Sequence, residues 1–290
     1  MPEGVAGEGG SGLITRVRHA FHAALLLEVL SSGAASAPTN ADSSNRLSVL
    51  IAQGIAAKLR GEMTARDRLA GQSSGHQFEE LCLAFLRDTF LELATVRPGR
   101  WEIKRAVGVT AFQQYAHLVD LQELVEHDAR FAAALQRDYL IAPDIVVARY
   151  PERDERLNAD QLLVDGQSAR LTSLRAANHE RPLLHASISC KWTIRSDRVQ
   201  NSRTEALNLV RNRKGPLPHV VVVTGEPLPS RLAAIAMGTG DIDCVYHFAL
   251  YELMDTVAEL NHEEALWTMK AMVDGKRLKD ISDLPLDLAT

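Results

Sequence analysis

The chain has 290 residues, a net charge of −5 and 46% hydrophobic residues, which is ordinary for a globular protein long enough to bury a sizeable core. It contains no run of about eighteen apolar residues, so we expect no membrane span and a cytoplasmic protein. Three cysteines far apart, Cys82, Cys190 and Cys244, argue against a disulfide framework and against a CxxC metal site.

Helical spacing of apolar residues, three and four positions apart, recurs along the chain. It predicts helices at residues 13–30, 47–59, 76–93, 111–136 and 202–210, and in the region 253–272. Asn40 to Asn45 is a cluster of capping and turn residues that serves at least as the N-cap of the second helix. Glu79 and Glu80 open the third, where acidic residues also complement the helix dipole.

Short β-branched and apolar runs predict the strands of a sheet. They lie at residues 101–107, 140–149, 183–194, 220–224 and 244–250. The polar stretch 150–178 predicts a loop with a short hairpin around Asp165-Gly166, and a polar tail containing proline closes the chain. Strands interleaved with helices indicate an α/β domain with a mixed central β-sheet flanked by α-helices.

Positive charge is concentrated in one segment. Residues 191–214 contain seven basic and two acidic residues, although the whole chain is acidic. Contacts with nucleic-acid phosphates require such a local surplus, but the solvated face of an ordinary helix shows it as well. Charge alone leaves both interpretations open.

Four charged residues lie where phosphodiester hydrolysis can use them. Asp144 lies near the start of one predicted strand and Lys191 near the end of another, while Glu79 and Glu205 lie on predicted helices. This reaction needs a hard cation held by carboxylates and a charge that positions the attacking water. A lysine that ends an apolar strand also needs an anionic partner, which a purely structural Asp or Glu would supply equally well.

The segment Arg195-Ser196-Asp197-Arg198 suits the reading of G·C base pairs. Arginine donates two parallel hydrogen bonds to guanine O6 and N7, and aspartate accepts one from cytosine N4 but offers nothing to thymine O4. The same residues also suit a helix N-cap with surface salt bridges.

Pro143-Asp144, followed by Ser189-Cys190-Lys191 and then Glu205, resembles the variant PD-(D/E)xK nuclease motif. In that variant a serine replaces the acidic residue of the second strand, and a glutamate on the following helix substitutes for it. The segments HASISCKWTIRSD, SRTEALNLVRNRKG, IDCVYHFALYE and GKRLKDISDLPLDL are similar to type II restriction endonucleases of the NgoMIV family. The similarity covers roughly residues 39–290 and implies a restriction-endonuclease-like core.

The resemblance implies a role for each residue of the motif. Asp144 and Glu205, with the backbone carbonyl of Cys190, would hold Mg2+, and Lys191 would hold the attacking water or the scissile phosphate. Ser189 would matter as the small neutral residue of the variant motif. Strand alternation directs the Cys190 thiol to the other face, so we expect no nucleophilic cysteine chemistry.

The resemblance also assigns residues outside the motif. Glu79 matches a further acidic residue that this family brings to the metal site from a helix. Gln72 precedes that helix, Asp42 and Ser44 match a turn facing the minor groove, and Arg231 is a further candidate for reading the outer base pair. If these roles transfer, the target is GCCGGC.

In the family, Arg195 and Arg198 read the guanines and Asp197 the cytosines of a central CCGG. A palindromic target requires at least a dimer, because each half-site meets one subunit, and members of this family work as tetramers. The resemblance therefore implies double-stranded DNA as partner and a homo-oligomer in a prokaryotic cytoplasm. We expect a flexible tail and first helix in residues 1–38 and a single endonuclease domain in 39–290.

We therefore predict a Mg2+-dependent type II restriction endonuclease that leaves 5'-phosphate and 3'-hydroxyl ends. One alternative is a DNA-binding module without cleavage, against which the full set of acidic residues argues, since a pure binder has no use for carboxylates that repel phosphate. Another is a structure-specific repair or junction nuclease, which should lack a base-reading segment.

Overall fold

The computed structural model describes residues 10–30, 37–61, 74–127, 130, 141–194, 196–238 and 240–290, with the backbone alone at 61 and 196–198. Its centre is a six-stranded sheet in the order β1 to β6. The strands are β1 (Arg100–Arg105), β2 (Ile145–Tyr150), β3 (Leu183–Lys191), β4 (His219–Thr224), β5 (Cys244–His247) and β6 (Leu278–Asp280). Strand β2 runs antiparallel to both of its neighbours, and β3 to β6 are mutually parallel.

Helices flank this sheet and connect its parallel strands. In the described ranges they are α1 (Leu13–Glu28), α2 (Arg46–Gly61), α3 (Ser74–Phe90), α4 (Leu118–His127), α5 (Asp154–Leu157), α6 (Ser196–Asn212), α7 (Pro229–Ala236), α8 (Leu250–Glu259), α9 (Glu263–Asp274) and α10 (Leu284–Asp287). Helix α6 links β3 to β4, α7 links β4 to β5, and α8 and α9 link β5 to β6. This architecture confirms the predicted α/β class with a mixed central sheet.

The middle of the sheet is buried on both faces. Residues 220–224 of β4 and all four residues of β5 are buried, and Val221 pairs with Cys244. Parallel strands covered on both sides need apolar side chains at successive positions, which explains the uninterrupted valines of β4. On β4 and β5, positions for reactive polar side chains are therefore restricted to the strand ends.

Three local predictions are wrong. No hairpin forms in residues 151–182, all of which are described, because the Asp165 carboxylate accepts the backbone N–H of Gln167 at 2.8 Å and closes the turn by itself. The predicted strand 244–250 ends at His247, whose Nδ1 accepts the Ala249 N–H at 3.1 Å in a turn that leads into α8. The predicted polar tail contains β6 and α10.

The long helix predicted at 111–136 is shorter in the described residues. Two 3-10 turns, Val109–Ala111 and Gln113–Tyr115, precede α4. Residues 128–129 and 131–136 of this prediction lie outside the described ranges.

Helix α1 is joined to the sheet by a buried ion triad. Phe21 and Leu25 belong to the main core, and the Arg18 guanidinium binds Glu252 of α8 at 2.7 Å and Asp280 of β6 at 2.9 Å. Burial opposes ionisation of Asp280, but hydrogen bonds from Arg18 hold the pKa of its carboxyl below the ordinary value. The domain boundary at residue 38 stays a prediction, although α1 packs on the same core.

None of the helices in the described part of the chain is long and apolar enough to cross a bilayer.

Replacing Arg18 with methionine is expected to lower the free energy of unfolding by about 3–5 kcal/mol, because two buried carboxylates lose their counter-ion. Lys58→Met is the control, since it breaks the more exposed Lys58–Glu259 pair and should cost less than about 1 kcal/mol. Denaturant titrations followed by circular dichroism measure both values. Equal small losses would show that the triad contributes no more than a surface pair.

Candidate active site

Asp144 and Lys191 meet at one edge of the sheet. Asp144 directly precedes β2, and Lys191 ends β3. These two strands pair antiparallel, with Ile145 opposite Ile188. The start of one strand therefore faces the end of the other, and Lys191 Nζ lies 2.9 Å from Asp144 Oδ2. Their side chains are 20% and 25% exposed, so the pair is largely withdrawn from water yet open to a ligand.

The same carboxylate oxygen is held by the strand that carries the lysine. The Cys190 backbone N–H donates to Asp144 Oδ2 at 2.8 Å, and the Ser189 hydroxyl approaches it at 3.4 Å. Three donors thus converge on Oδ2 and fix the Asp144 carboxylate in place.

The Cys190 side chain is buried beside that of Cys82. Hydrogen bonding with the Cys82 thiol and burial both raise the pKa of the Cys190 thiol well above its usual range. A thiol that keeps its proton is a poor nucleophile. A metal-binding role of its backbone carbonyl stays a prediction.

Glu205 lies on α6, in the connection between β3 and β4. Removal of water by the surrounding protein raises the pKa of its carboxyl, the Lys191 ammonium lowers it, and the Asp144 carboxylate raises it. Glu205 therefore shares the electrostatic environment of the pair. A cation beside Glu205 would favour the ionised form of its carboxyl.

Glu79 is brought to the same edge by a residue that the sequence reasoning missed. Arg105, the last residue of β1, binds Glu79 Oε2 at 2.6 Å and also contacts Glu80 and His76. The next N–H of the chain, at residue 106, donates to the Asp144 carbonyl at 3.3 Å. In the sequence, Arg105 is visible only as a basic residue near the end of the alternating run 101–107. Its contact with Glu79 becomes visible only once the strands are placed.

These side chains fit a hard divalent cation. In the described ranges, no group of three or more Asp, Glu, His or Cys side chains is arranged to hold a metal ion by itself. Mg2+ does not need such a cage, because it keeps several waters and binds through one or two carboxylates together with substrate phosphates. The carboxylates of Asp144 and Glu205 supply that donor set.

Asp42, Ser44 and Arg231, the candidates for reading the outer base pair, lie together in a second cluster. Asp42 Oδ1 accepts the Ser44 hydroxyl at 2.6 Å and its N–H at 3.0 Å, and the Arg231 guanidinium binds the other oxygen. The Ser44 hydrogen bonds, together with Arg231, lower the pKa of Asp42 to about 2. A cavity of about 570 Å³ connects this cluster with Trp192 and Ile194, at the entrance to α6.

The remaining predicted base-reading residues are described in part or not at all. Asp197 and Arg198 lie in the first turn of α6, but the structure describes only their backbone. Arg195 and Gln72 lie outside the described residues. The described backbone places Ser196–Arg198 shortly after the end of β3 at Lys191, and the base contacts of this segment stay predictions.

Known proteins match the chain over nearly its full length. The model of the NgoMIV restriction enzyme family matches residues 21–290. The type II restriction enzyme NgoMIV of Neisseria gonorrhoeae is 53% identical over 283 residues, which cover 96% of this chain and 99% of that enzyme. These matches confirm the resemblance found in the sequence motifs, and the chain belongs to the NgoMIV restriction enzyme family.

Proposed function

We propose that this protein is a Mg2+-dependent type II restriction endonuclease that cleaves double-stranded DNA at a palindrome with central CCGG. The observation that carries the proposal is the contact between Asp144 and Lys191, with Glu205 in the same electrostatic environment. Family membership supports sequence-specific cleavage, and the half-buried charges supply groups for it. A protein that only bound DNA would gain nothing from carboxylates that repel phosphate.

In this proposal Asp144, Glu205 and the Cys190 carbonyl hold Mg2+, which when bound supplies positive charge to the scissile phosphate. Lys191 holds the attacking water or a phosphate oxygen, and its contact with Asp144 fixes where the ammonium points. Glu79 is a further acidic group held at the same edge by Arg105. The products are 5'-phosphate and 3'-hydroxyl ends.

Base reading is assigned to the segment that follows the catalytic strand. Arg195 and Arg198 would bind guanine O6 and N7, and Asp197 would accept from cytosine N4. The locally basic charge of residues 191–214 supports contact with DNA at this face.

The outer base pair is assigned to the cluster of Asp42, Ser44 and Arg231, together with Gln72, which gives GCCGGC as the target. The contact of Arg231 with Asp42 presents donors and acceptors together beside the cavity at the entrance to α6. Since the target is palindromic, the protein acts as a homo-oligomer, at least a dimer and by family resemblance a tetramer, in a prokaryotic cytoplasm.

Lys191→Ala is expected to abolish plasmid cleavage, because the water or phosphate loses its positioning charge, while binding to a GCCGGC duplex in Ca2+ persists. Lys279→Ala is the matched control, since Lys279 also binds an aspartate, Asp287, at 2.6 Å but lies on β6. Gel assays of cleavage and binding measure both effects. Cleavage by the Lys191 variant at near the wild-type rate would remove the assigned role.

Arg198→Ala is expected to cost at least about 1 kcal/mol of binding free energy on cognate DNA and little on random DNA, because the proposed contact is to a base edge. Arg211→Ala, in the last turn of the same helix, should leave the ratio of the two affinities unchanged. Fluorescence anisotropy titrations give the four affinities. Equal losses on both DNAs would identify Arg198 as a phosphate contact.

Glu205→Gln is expected to raise the Mg2+ concentration needed for half-maximal cleavage, because a neutral amide is a weaker ligand for a hard cation. Glu264→Gln, another exposed helical glutamate, serves as control and should leave the requirement unchanged. Initial cleavage rates over a Mg2+ series provide the measurement. An unaltered Mg2+ requirement in the Glu205 variant would show that Glu205 does not replace the acidic residue whose place on the strand is taken by Ser189.

A further inference from the structure

A short turn after β4 is bonded to the end of the catalytic strand. The Thr224 hydroxyl and the Gly225 N–H both donate to the Lys191 carbonyl, at 2.7 and 3.1 Å. A Cβ atom at position 225 would lie 2.3 Å from the Trp192 ring and 2.9 Å from its carbonyl oxygen, closer than real Cβ atoms come. Glycine therefore allows the turn to press against the chain just after Lys191.

The next residue, Glu226, is fully buried and belongs to no part of the chemistry described above. Its Oε2 accepts the Ile194 N–H at 2.8 Å, and its Oε1 accepts the Leu228 N–H at 3.1 Å. Ile194 is the last residue before the segment 195–198, and Leu228 is the last residue before α7. One carboxylate thus joins the entrance of α6 to the entrance of the helix that carries Arg231.

The same turn reaches the cluster around Asp42. Arg231 Nη1 lies 3.9 Å from Glu226 Oε2, while its other terminal nitrogen binds Asp42. The Asn40 side chain donates to the Gly225 carbonyl at 2.8 Å. All the described elements assigned to base reading are therefore connected through Gly225 and Glu226.

Burying a carboxylate is costly unless its oxygens receive hydrogen bonds. Burial raises the pKa of Glu226, and the two backbone donors and Arg231 oppose that rise. Such a group is well suited to hold two chain segments at a fixed separation, because displacing either one leaves a buried polar atom without its partner.

We propose that Glu226 is a positioning residue for base recognition, which fixes the start of α6 relative to Arg231 so that the inner and outer base pairs are read in register. The proposal rests on the proposed function for the identity of the reading elements. Glu226 acts without touching a base, through the backbone of Ile194 and Leu228 and through the Arg231 guanidinium.

The test is Glu226→Gln. An amide has one acceptor oxygen and one NH2 group, so one of the two backbone N–H groups loses its acceptor and Arg231 loses a nearby negative charge. Binding in Ca2+ is measured for GCCGGC, for ACCGGT, in which only the outer pair differs, and for random duplexes. We expect preference for GCCGGC over both others to fall by about tenfold or more, with affinity for random DNA unchanged.

Glu252→Gln is the matched control, because Glu252 is also buried and bound to an arginine, Arg18, but contacts no reading element. It should lower stability and leave the preference for GCCGGC unchanged. Equal weakening of cognate and random binding in the Glu226 variant, or an unchanged preference, would overturn the positioning role.

Amide hydrogen exchange in the free protein tests Glu226 independently of the target. In Glu226→Gln, exchange should accelerate by about tenfold or more at whichever of Ile194 and Leu228 loses its acceptor, relative to the other core amides of the same variant. In Glu252→Gln, Ile194 and Leu228 should change no more than the other core amides do. Glu226→Asp, which retracts the charge by one methylene, should show the same pattern and replaces the glutamine variant if that does not fold. Unchanged exchange overturns the proposal, whereas a wild-type protein with no preference for GCCGGC overturns the target alone.

Discussion

The contact between Asp144 and Lys191 is the constraint on which the rest of the site depends. Each residue lies at the end of a buried strand, where an unpaired charge would be costly, and antiparallel pairing of β2 with β3 makes each the partner of the other. The chain then continues from Lys191 into the segment 195–198, so the proposed base-reading residues follow the proposed catalytic lysine closely. A shift of β3 by one residue would turn Lys191 to the other face of the sheet and displace the segment 195–198 with it.

Asp42 and Glu205, two carboxylates near the proposed DNA face, have pKa values that their surroundings shift in opposite directions. The pKa of Asp42 is lowered by Ser44 and Arg231, so this group is held as an anion in a fixed orientation. The pKa of Glu205 is raised by loss of water and by Asp144, so its ionised form gains from an added cation. The first arrangement suits a rigid hydrogen-bonding surface, and the second suits a metal ligand.

Local patterns in the sequence predict much of the fold, including five of the strands, because burial dictates apolar runs. They also predict that Lys191 needs an anionic partner, but leave open that Asp144 is that partner. They do not predict β6, since three residues are too few to show a period. Arg105 and Glu226 were missed for another reason. Arg105 binds Glu79 of α3, and Glu226 binds Ile194, which follows β3; both contacts join separate elements, and local spacing carries no information about such contacts. Residue patterns alone indicate a hard cation and the reading of G·C pairs, whereas Mg2+ and the full target GCCGGC are implied only by the family resemblance.

The order of the sheet also bears on when activity can arise. The residues that meet at its edge are spread along the chain from Glu79 to Glu226, and the parallel pairing of β3 with β4 spans the α6 connection. A topology that brings such distant positions together folds more slowly than one built from local contacts. Until β2, β3 and β4 are paired, the chain lacks both the Asp144–Lys191 contact and the Ile194–Glu226 hydrogen bond. The proposed catalytic edge and the proposed reading surface are therefore completed by the same set of strand pairings.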